Sequence, residues 1–200
     1  MQINLQRPPF LFRYTKSIWA REALELGEFL LKPASSYKSL EGDEARGDDE
    51  LNRIQRIDPS QIKITLQSTG MEIKPTSPVE YNFYSETDYL ILCFSSKWDL
   101  TLFDDFQGTD ACLAIRDVDA FAERFHAATE TQIFGFHGVD AAVTYGDHSP
   151  LGVAFSKPLR FGPQLEYRFA MRPQAPRHDL KPMKIRMGSL TSIAELRFKP

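Results

Sequence analysis

Gln164-Leu165-Glu166-Tyr167-Arg168-Phe169 alternates without a break. As a strand it places Leu165, Tyr167 and Phe169 on one face and Gln164, Glu166 and Arg168 on the other. The polar face then carries an amide, a carboxylate and a guanidinium about 7 Å apart. Two readings stand side by side: a solvated edge, or the working face of a site. If the strand is central, a buried carboxylate is costly unless Arg168 and Gln164 keep it ionised and oriented.

Working outward, the same period-two reading recurs. Pro9 to Tyr14, Phe29 to Lys32, Lys63 to Leu66, Val79 to Phe83, Cys112 to Ile115 and Ala141 to Tyr145 read as strands, with two more between Lys184 and Phe198. Tyr89 to Phe94 is a continuous apolar run, the pattern of a central strand buried on both faces. Helical spacing appears in two segments. Lys16 to Leu26 groups Trp19, Ala23 and Leu26, with Ala20 and Leu24 beside them, Thr15 as N-cap and Gly27 beyond the end. Val118 to Ala128 groups Phe121, Phe125 and Ala128. Between them, Ser35 to Arg56 is polar and rich in Asp and Glu, and Asp48 and Asp49 are placed to cap a short helix running to Arg56. Many strands, few helices and no regular β-α-β alternation predict an α+β fold around a mixed or antiparallel sheet. No glycine-rich phosphate loop is present.

Two hundred residues suit one domain, 1–200. With 42% apolar and 26% charged residues the chain has ordinary globular usage, and fifteen Phe and seven Tyr can fill a sizeable core. A net charge of -3 and a pI near 5.8 argue against a dedicated nucleic-acid binder. Cys93 and Cys112 sit in apolar stretches and read as buried free thiols of a reducing cytoplasm. Two Cys and four scattered His form no metal-ligand spacing. Met1 to Arg7 lacks the pattern of a signal peptide, and the longest apolar run is too short to span a bilayer. The expectation is a soluble, cytoplasmic protein.

Several residues suit chemistry. Arg13 ends the first strand, either pairing with a surface carboxylate or pointing into a cleft to hold an anion such as phosphate. Ser95 and Ser96 follow the buried strand and either close a turn or orient a neighbour. Trp98 either packs in the core or stacks on an aromatic ligand. Glu166, oriented by its neighbours, is what cleavage of a glycosidic bond needs, because that transition state resembles an oxocarbenium ion. The nicotinamide–ribose bond of NAD falls under the same logic. His126, His137, His148 and His178 show nothing that marks a base and are expected at the surface.

The order Arg13, Ser95-Ser96, Gln164-x-Glu166 resembles the ADP-ribosyltransferase superfamily, one clade of which has an arginine on the first strand, a serine motif on a middle strand and Glu-x-Glu or Gln-x-Glu on a late strand. Most of the chain also resembles an uncharacterised bacterial domain family found in part near phage-defence genes. The matches are Phe12-Arg13-Tyr14, Asp43-Glu44, Cys93-Phe94-Ser95, Val143-Thr144-Tyr145, Lys157 and Gln164-Leu165-Glu166-Tyr167-Arg168. Leu102-Phe103 and Phe106 depart from that family's Met-Trp and Tyr, and Gln164 replaces the first Glu of its pair.

What the resemblance implies is a mixed, largely antiparallel split β-sheet with a few flanking helices, and an NAD-dependent ADP-ribosyltransferase or NAD glycohydrolase, with NAD as substrate. It implies Glu166 as the essential carboxylate, Arg13 on a phosphate or ribose of NAD, Ser95 holding Arg13 or Glu166, and Gln164 orienting the acceptor. Tyr14 and Trp98 would pack on nicotinamide, with Ser96 and Arg168 completing the cofactor side. A toxin or phage-defence effector would act on a protein or nucleic-acid acceptor and have a neutralising partner protein. From Lys157 onward basic residues outnumber acidic ones, either as a solvated balance to the acidic middle or as a footprint for an acidic acceptor. The alternatives are a non-enzymatic binding protein on the same fold and, ranking last, a Mg²⁺ nuclease using the acidic stretch.

Overall fold

Residues 6–38, 45 and 47–200 are described by a computed structural model of the chain. In chain order they form β1 (Leu11–Thr15), α1 (Ser17–Leu26), β2 (Glu28–Pro33), β3 (Asn52–Ile57), β4 (Ile64–Thr65), β5 (Glu72–Ile73), β6 (Val79–Tyr84) and β7 (Leu90–Ser95). Then come α2 (Leu102–Asp105), β8 (Ala111–Ile115), α3 (Val118–Gln132), β9 (Phe136–Ala142), β10 (Thr144–Tyr145), β11 (Ser156–Lys157), β12 (Glu166–Pro173), β13 (Met183–Arg186) and β14 (Ala194–Phe198). The fold is α+β, with mainly antiparallel sheets and few helices.

β7 is the strand around which the others are arranged. Its whole length pairs with β12 on one edge, from Glu166↔Ser95 to Met171↔Leu90. Its other edge is shared between two strands. Pro33 and Lys32 of β2 face Leu90 and Ile91, and β1 joins only at Phe12↔Ser95. The sheet therefore forks at β7. β13 extends the branch through β2, β8 and β14 extend the branch through β1, and β9 lies outside β12.

The apolar run of β7 is buried on both faces, as its composition predicts. Leu90, Leu92 and Phe94 join Tyr167, Phe169 and Met171 under α3, where Phe121 meets Phe94 edge-on at 5.3 Å. Ile91 and Ala170 face the opposite side, beside Ala34, Tyr89 and Phe155.

Four local expectations are corrected. α1 starts after Lys16, not Thr15, and no side chain of its own segment caps it; the Asp110 carboxylate accepts from Ser17 N at 2.6 Å and from Ser17 Oγ at 3.0 Å. Its buried residues are Ala20 and Ala23, whose small side chains let the helix lie close to the sheet, whereas Trp19 and Leu26 are exposed. No helix runs from Asp48 to Arg56. Asn52–Ile57 is a strand, because β6 supplies a ladder from Asn52↔Tyr84 to Ile57↔Val79. Finally, Gln164 and Leu165 lie outside β12: Gln164 ends a 3₁₀ helix, Leu159–Gln164, and Leu165 turns out of line at φ 41° with its side chain exposed. The glycine beyond α1 is where it was expected. Gly27 has φ 61°, and a Cβ there would sit 2.3 Å from the carbonyl oxygen of Gly188, so only glycine fits.

Candidate active site in the fork of the sheet

Where β1 and β2 diverge from β7, a cavity of about 530 Å³ opens. Ligand sites occupy roughly 300–1,000 Å³. The fork leaves the Leu92–Phe94 stretch of β7 without a strand on that edge, and Arg13 of β1 reaches across to it, Nη1 donating to the Cys93 carbonyl at 2.8 Å. A side chain thus takes a carbonyl that a continuous sheet would pair with backbone.

Arg13, Tyr14, Ser95, Gln164 and Glu166, five of the expected residues, all line this cavity. Arg13 and Tyr14 come from β1 and Ser95 from the end of β7. The register sets Glu166 and Phe12 on either side of Ser95, so three strands meet there. The Ser95 hydroxyl is spent on a turn, donating to Lys97 O at 2.9 Å, so the role of holding Arg13 or Glu166 does not belong to its side chain. Tyr14 is packed from behind by Phe103 and Trp98, and its hydroxyl accepts from Asp99 N at 2.7 Å.

Three expected cofactor residues lie elsewhere. Trp98 stacks behind Tyr14 in a small cluster with Leu102 and Phe103, where aromatic burial outweighs presentation to a ligand. Ser96 N and Oγ both donate to Leu165 O, at 2.8 and 2.9 Å, which holds Leu165 in its left-handed turn. Arg168 is fully buried behind Glu166.

Arg168 explains why β12 tolerates charge at the centre of a sheet. Its guanidinium holds Glu50 bidentately at 2.6 and 2.7 Å, Glu166 Oε1 at 2.5 Å and the Ala154 carbonyl at 2.7 Å. Lys157 Nζ donates to Glu166 Oε2 at 2.7 Å and to Gln164 Oε1 at 3.0 Å. Arg53 continues the chain of charges to Asp48 at 2.8 Å and Glu50 at 3.3 Å. Three carboxylates and three cations alternate in one cluster, so each buried charge has partners of opposite sign. The polar face is therefore covered, not a solvated edge.

The electrostatics follow. Burial alone would raise the Glu166 carboxyl, but Arg168 and Lys157 more than offset this and hold it well below its ordinary value of 4.5. It is ionised at neutral pH. Burial, reinforced by Glu166, pushes the Cys93 thiol well up, so Cys93 is a neutral thiol and not a nucleophile. Asp48 is the exception: burial outweighs Arg53, and its carboxyl is raised. On the other face, Asp140 is held below its ordinary 3.8 against burial by His126, Arg7 and Tyr167.

A group whose folded pKa is depressed lends stability that is complete above its unfolded value and lost as pH falls. Glu166 and Asp140 act in this direction and Asp48 in the other. Urea-unfolding midpoints should hold steady down to the ordinary Glu value of 4.5 and then fall with pH. A fall as steep in Glu166→Gln as in the parent would contradict an ionised Glu166.

Glu50, Lys157 and Cys93 also line the cavity, beyond the residues the sequence points to. Lys157 carried a signal, as one of the positions matched to the bacterial family. Glu50 carried none, being one acid among several in a polar stretch. Asp43 and Glu44 lie outside the described residues. His126 and His148 are not the surface residues expected: His126 Nε2 meets Asp140 at 2.7 Å, and His148 lies on the Phe83 ring at 3.9 Å. His137 and His178 are exposed. Of the nine basic residues after Lys157, five have carboxylate partners: Arg168 with Glu50 and Glu166, Lys184 and Arg186 with Glu28, Arg197 with Glu195 and Lys199 with Asp104. Among the described residues no group of His, Cys, Asp or Glu is placed to hold a metal ion, and no helix is long and apolar enough to cross a membrane. Comparison with protein-family models, curated proteins and solved structures yields no match, and the reading of the cavity rests on its own residues.

Proposed function

We propose that the protein cleaves the nicotinamide–ribose bond of NAD, with Glu166 as the carboxylate that stabilises the cationic transition state. The observation that carries this reading is the meeting of Arg13, Tyr14, Ser95, Gln164 and Glu166 in one cavity, although they lie up to 153 positions apart in the chain. The separation of charges suits the reaction. Glu166 is ionised and buried, and there a negative charge acts strongly on a developing cation. A carboxylate offers about four acceptor positions. Arg168 and Lys157 take one on each oxygen, which leaves room for a ribose hydroxyl. Because Arg168 and Lys157 hold both oxygens, the carboxylate needs little reorganisation as charge develops. Arg13 also lines the cavity, and its guanidinium suits a phosphate; the Tyr14 ring, largely packed from behind, turns its remaining surface to the same space.

Purified protein incubated with NAD is expected to release nicotinamide, read by chromatography. Folded protein that leaves NAD intact, both alone and with cell extract, would sink the proposal. One observation favours a second reading. Both Glu166 oxygens are already bonded inside a neutral cluster, which is also how a purely structural ion network looks. On that reading the cavity binds its ligand and returns it unchanged, and calorimetry would record NAD binding without nicotinamide.

A further inference from the structure

We infer that the site delivers the sugar to water rather than to a macromolecular side chain, an inference that rests on the proposed cleavage of NAD. A transferase needs a group beside its carboxylate that can turn to receive and orient an incoming nucleophile. Gln164 holds that position in the chain, but its amide is tied at both ends: Oε1 accepts from Lys157 Nζ at 3.0 Å, and Nε2 donates to the Ala45 carbonyl at 2.7 Å. Only 8% of Gln164 is exposed. Ala45 itself lines the cavity, so the contact closes a wall over Gln164. Lys157 is equally fixed, bonded to Glu166 and Gln164 and set over the Phe161 ring at 4.6 Å. A bulky acceptor approaching Glu166 from this side meets Ala45 first. A water molecule does not have this difficulty.

The charge pattern supports the same conclusion independently. A nucleic-acid acceptor needs a field of unpaired basic residues around the mouth. Five basic residues line the cavity, Arg13, Lys16, Lys32, Lys157 and Lys184, but four acidic ones, Glu22, Glu28, Glu50 and Glu166, line it with them; Lys184 is paired with Glu28 and Lys157 with Glu166. Of the basic residues after Lys157, Lys184 alone lines the cavity, so their excess does not become a basic surface there.

The step balances without a further reagent. The bond between ribose C1′ and the pyridinium nitrogen breaks, and its electron pair goes to the ring, which leaves as neutral nicotinamide. The oxygen of water forms the new bond to C1′. The proton it sheds passes to solvent, because Glu166, paired with two cations, is a poor proton acceptor. The products are nicotinamide, ADP-ribose and one proton.

The experiment uses the full chain and NAD carrying a radioactive phosphate next to adenosine. Nicotinamide, free ADP-ribose and acid-precipitable label are measured in buffer and again with cell extract. The expected result is equal amounts of nicotinamide and free ADP-ribose in buffer alone, a rate unchanged by extract, and no label in protein or nucleic acid. Label on a macromolecule, or nicotinamide release that requires extract, would overturn the inference while leaving the cleavage reading intact. No nicotinamide under either condition would overturn the cleavage reading, and this inference with it.

Discussion

Glu50→Ala will destabilise the fold by roughly 3–5 kcal/mol, as breaking a buried ion pair does. The residue is 2% exposed and is the junction of the cluster. It accepts two bonds from Arg168, one from Arg53, and stands 3.9 Å from Lys157. Alanine would leave the Arg168 guanidinium, which has no access to solvent, with Glu166 as its one remaining charged partner at bonding distance. Small domains are stable by roughly 5–15 kcal/mol, so the loss is a large share of the whole. Urea unfolding followed by circular dichroism will show it as a lower midpoint. Glu80→Ala is the matching control: Glu80 also pairs with an arginine, but at the surface, and its removal should leave the midpoint unchanged. Equal effects from the two substitutions would refute the buried cluster.

Glu166→Gln will reduce kcat for nicotinamide release by roughly 10²–10³, the usual cost of removing one electrostatic contact to a transition state. The side chain keeps its shape and loses its charge. Because the charge acts on the developing cation and not on ground-state NAD, KM should stay close to that of the parent. The same substitution weakens the cluster, so stability must be separated from chemistry. Asp140→Asn serves this purpose. Asp140 lies opposite Phe169, on the face of β12 turned away from Glu166, and accepts bonds from Arg7, His126 and Tyr167. Its replacement should cost about 1–3 kcal/mol and leave the rate of release intact. Full activity in folded Glu166→Gln would remove Glu166 from the chemistry.

Much of the fold was legible. The unbroken apolar run of β7 and the Phe121–Phe125 stripe of α3 bury as written, because their periodicities match the burial each element receives. Helical spacing locates α1 but not its buried face: Trp19 and Leu26 are apolar yet exposed, since close packing on the sheet selects the small Ala20 and Ala23. β3 is not legible in the sequence because its partner, β6, lies more than twenty residues away and its own residues are mostly polar. The site was legible in part. The chain order of Arg13, Ser95, Gln164 and Glu166 points to residues that do share the cavity, as Tyr14 does, whereas Ser96, Trp98 and Arg168 do not line it. Residue type reveals what a group can do, not which way it points.

By itself, the sequence determined that β12 carries an alternating row of polar and apolar side chains and that β7 is buried on both faces. Both follow from the two-residue repeat of a strand, a local property. Only the tertiary structure decided that the polar row is covered and faces a cavity. That outcome depends on Glu50, 118 positions from Arg168, and on Lys157 arriving beside Glu166. A buried charge is stable only with its partners in place, and no local pattern encodes partners brought from so far along the chain.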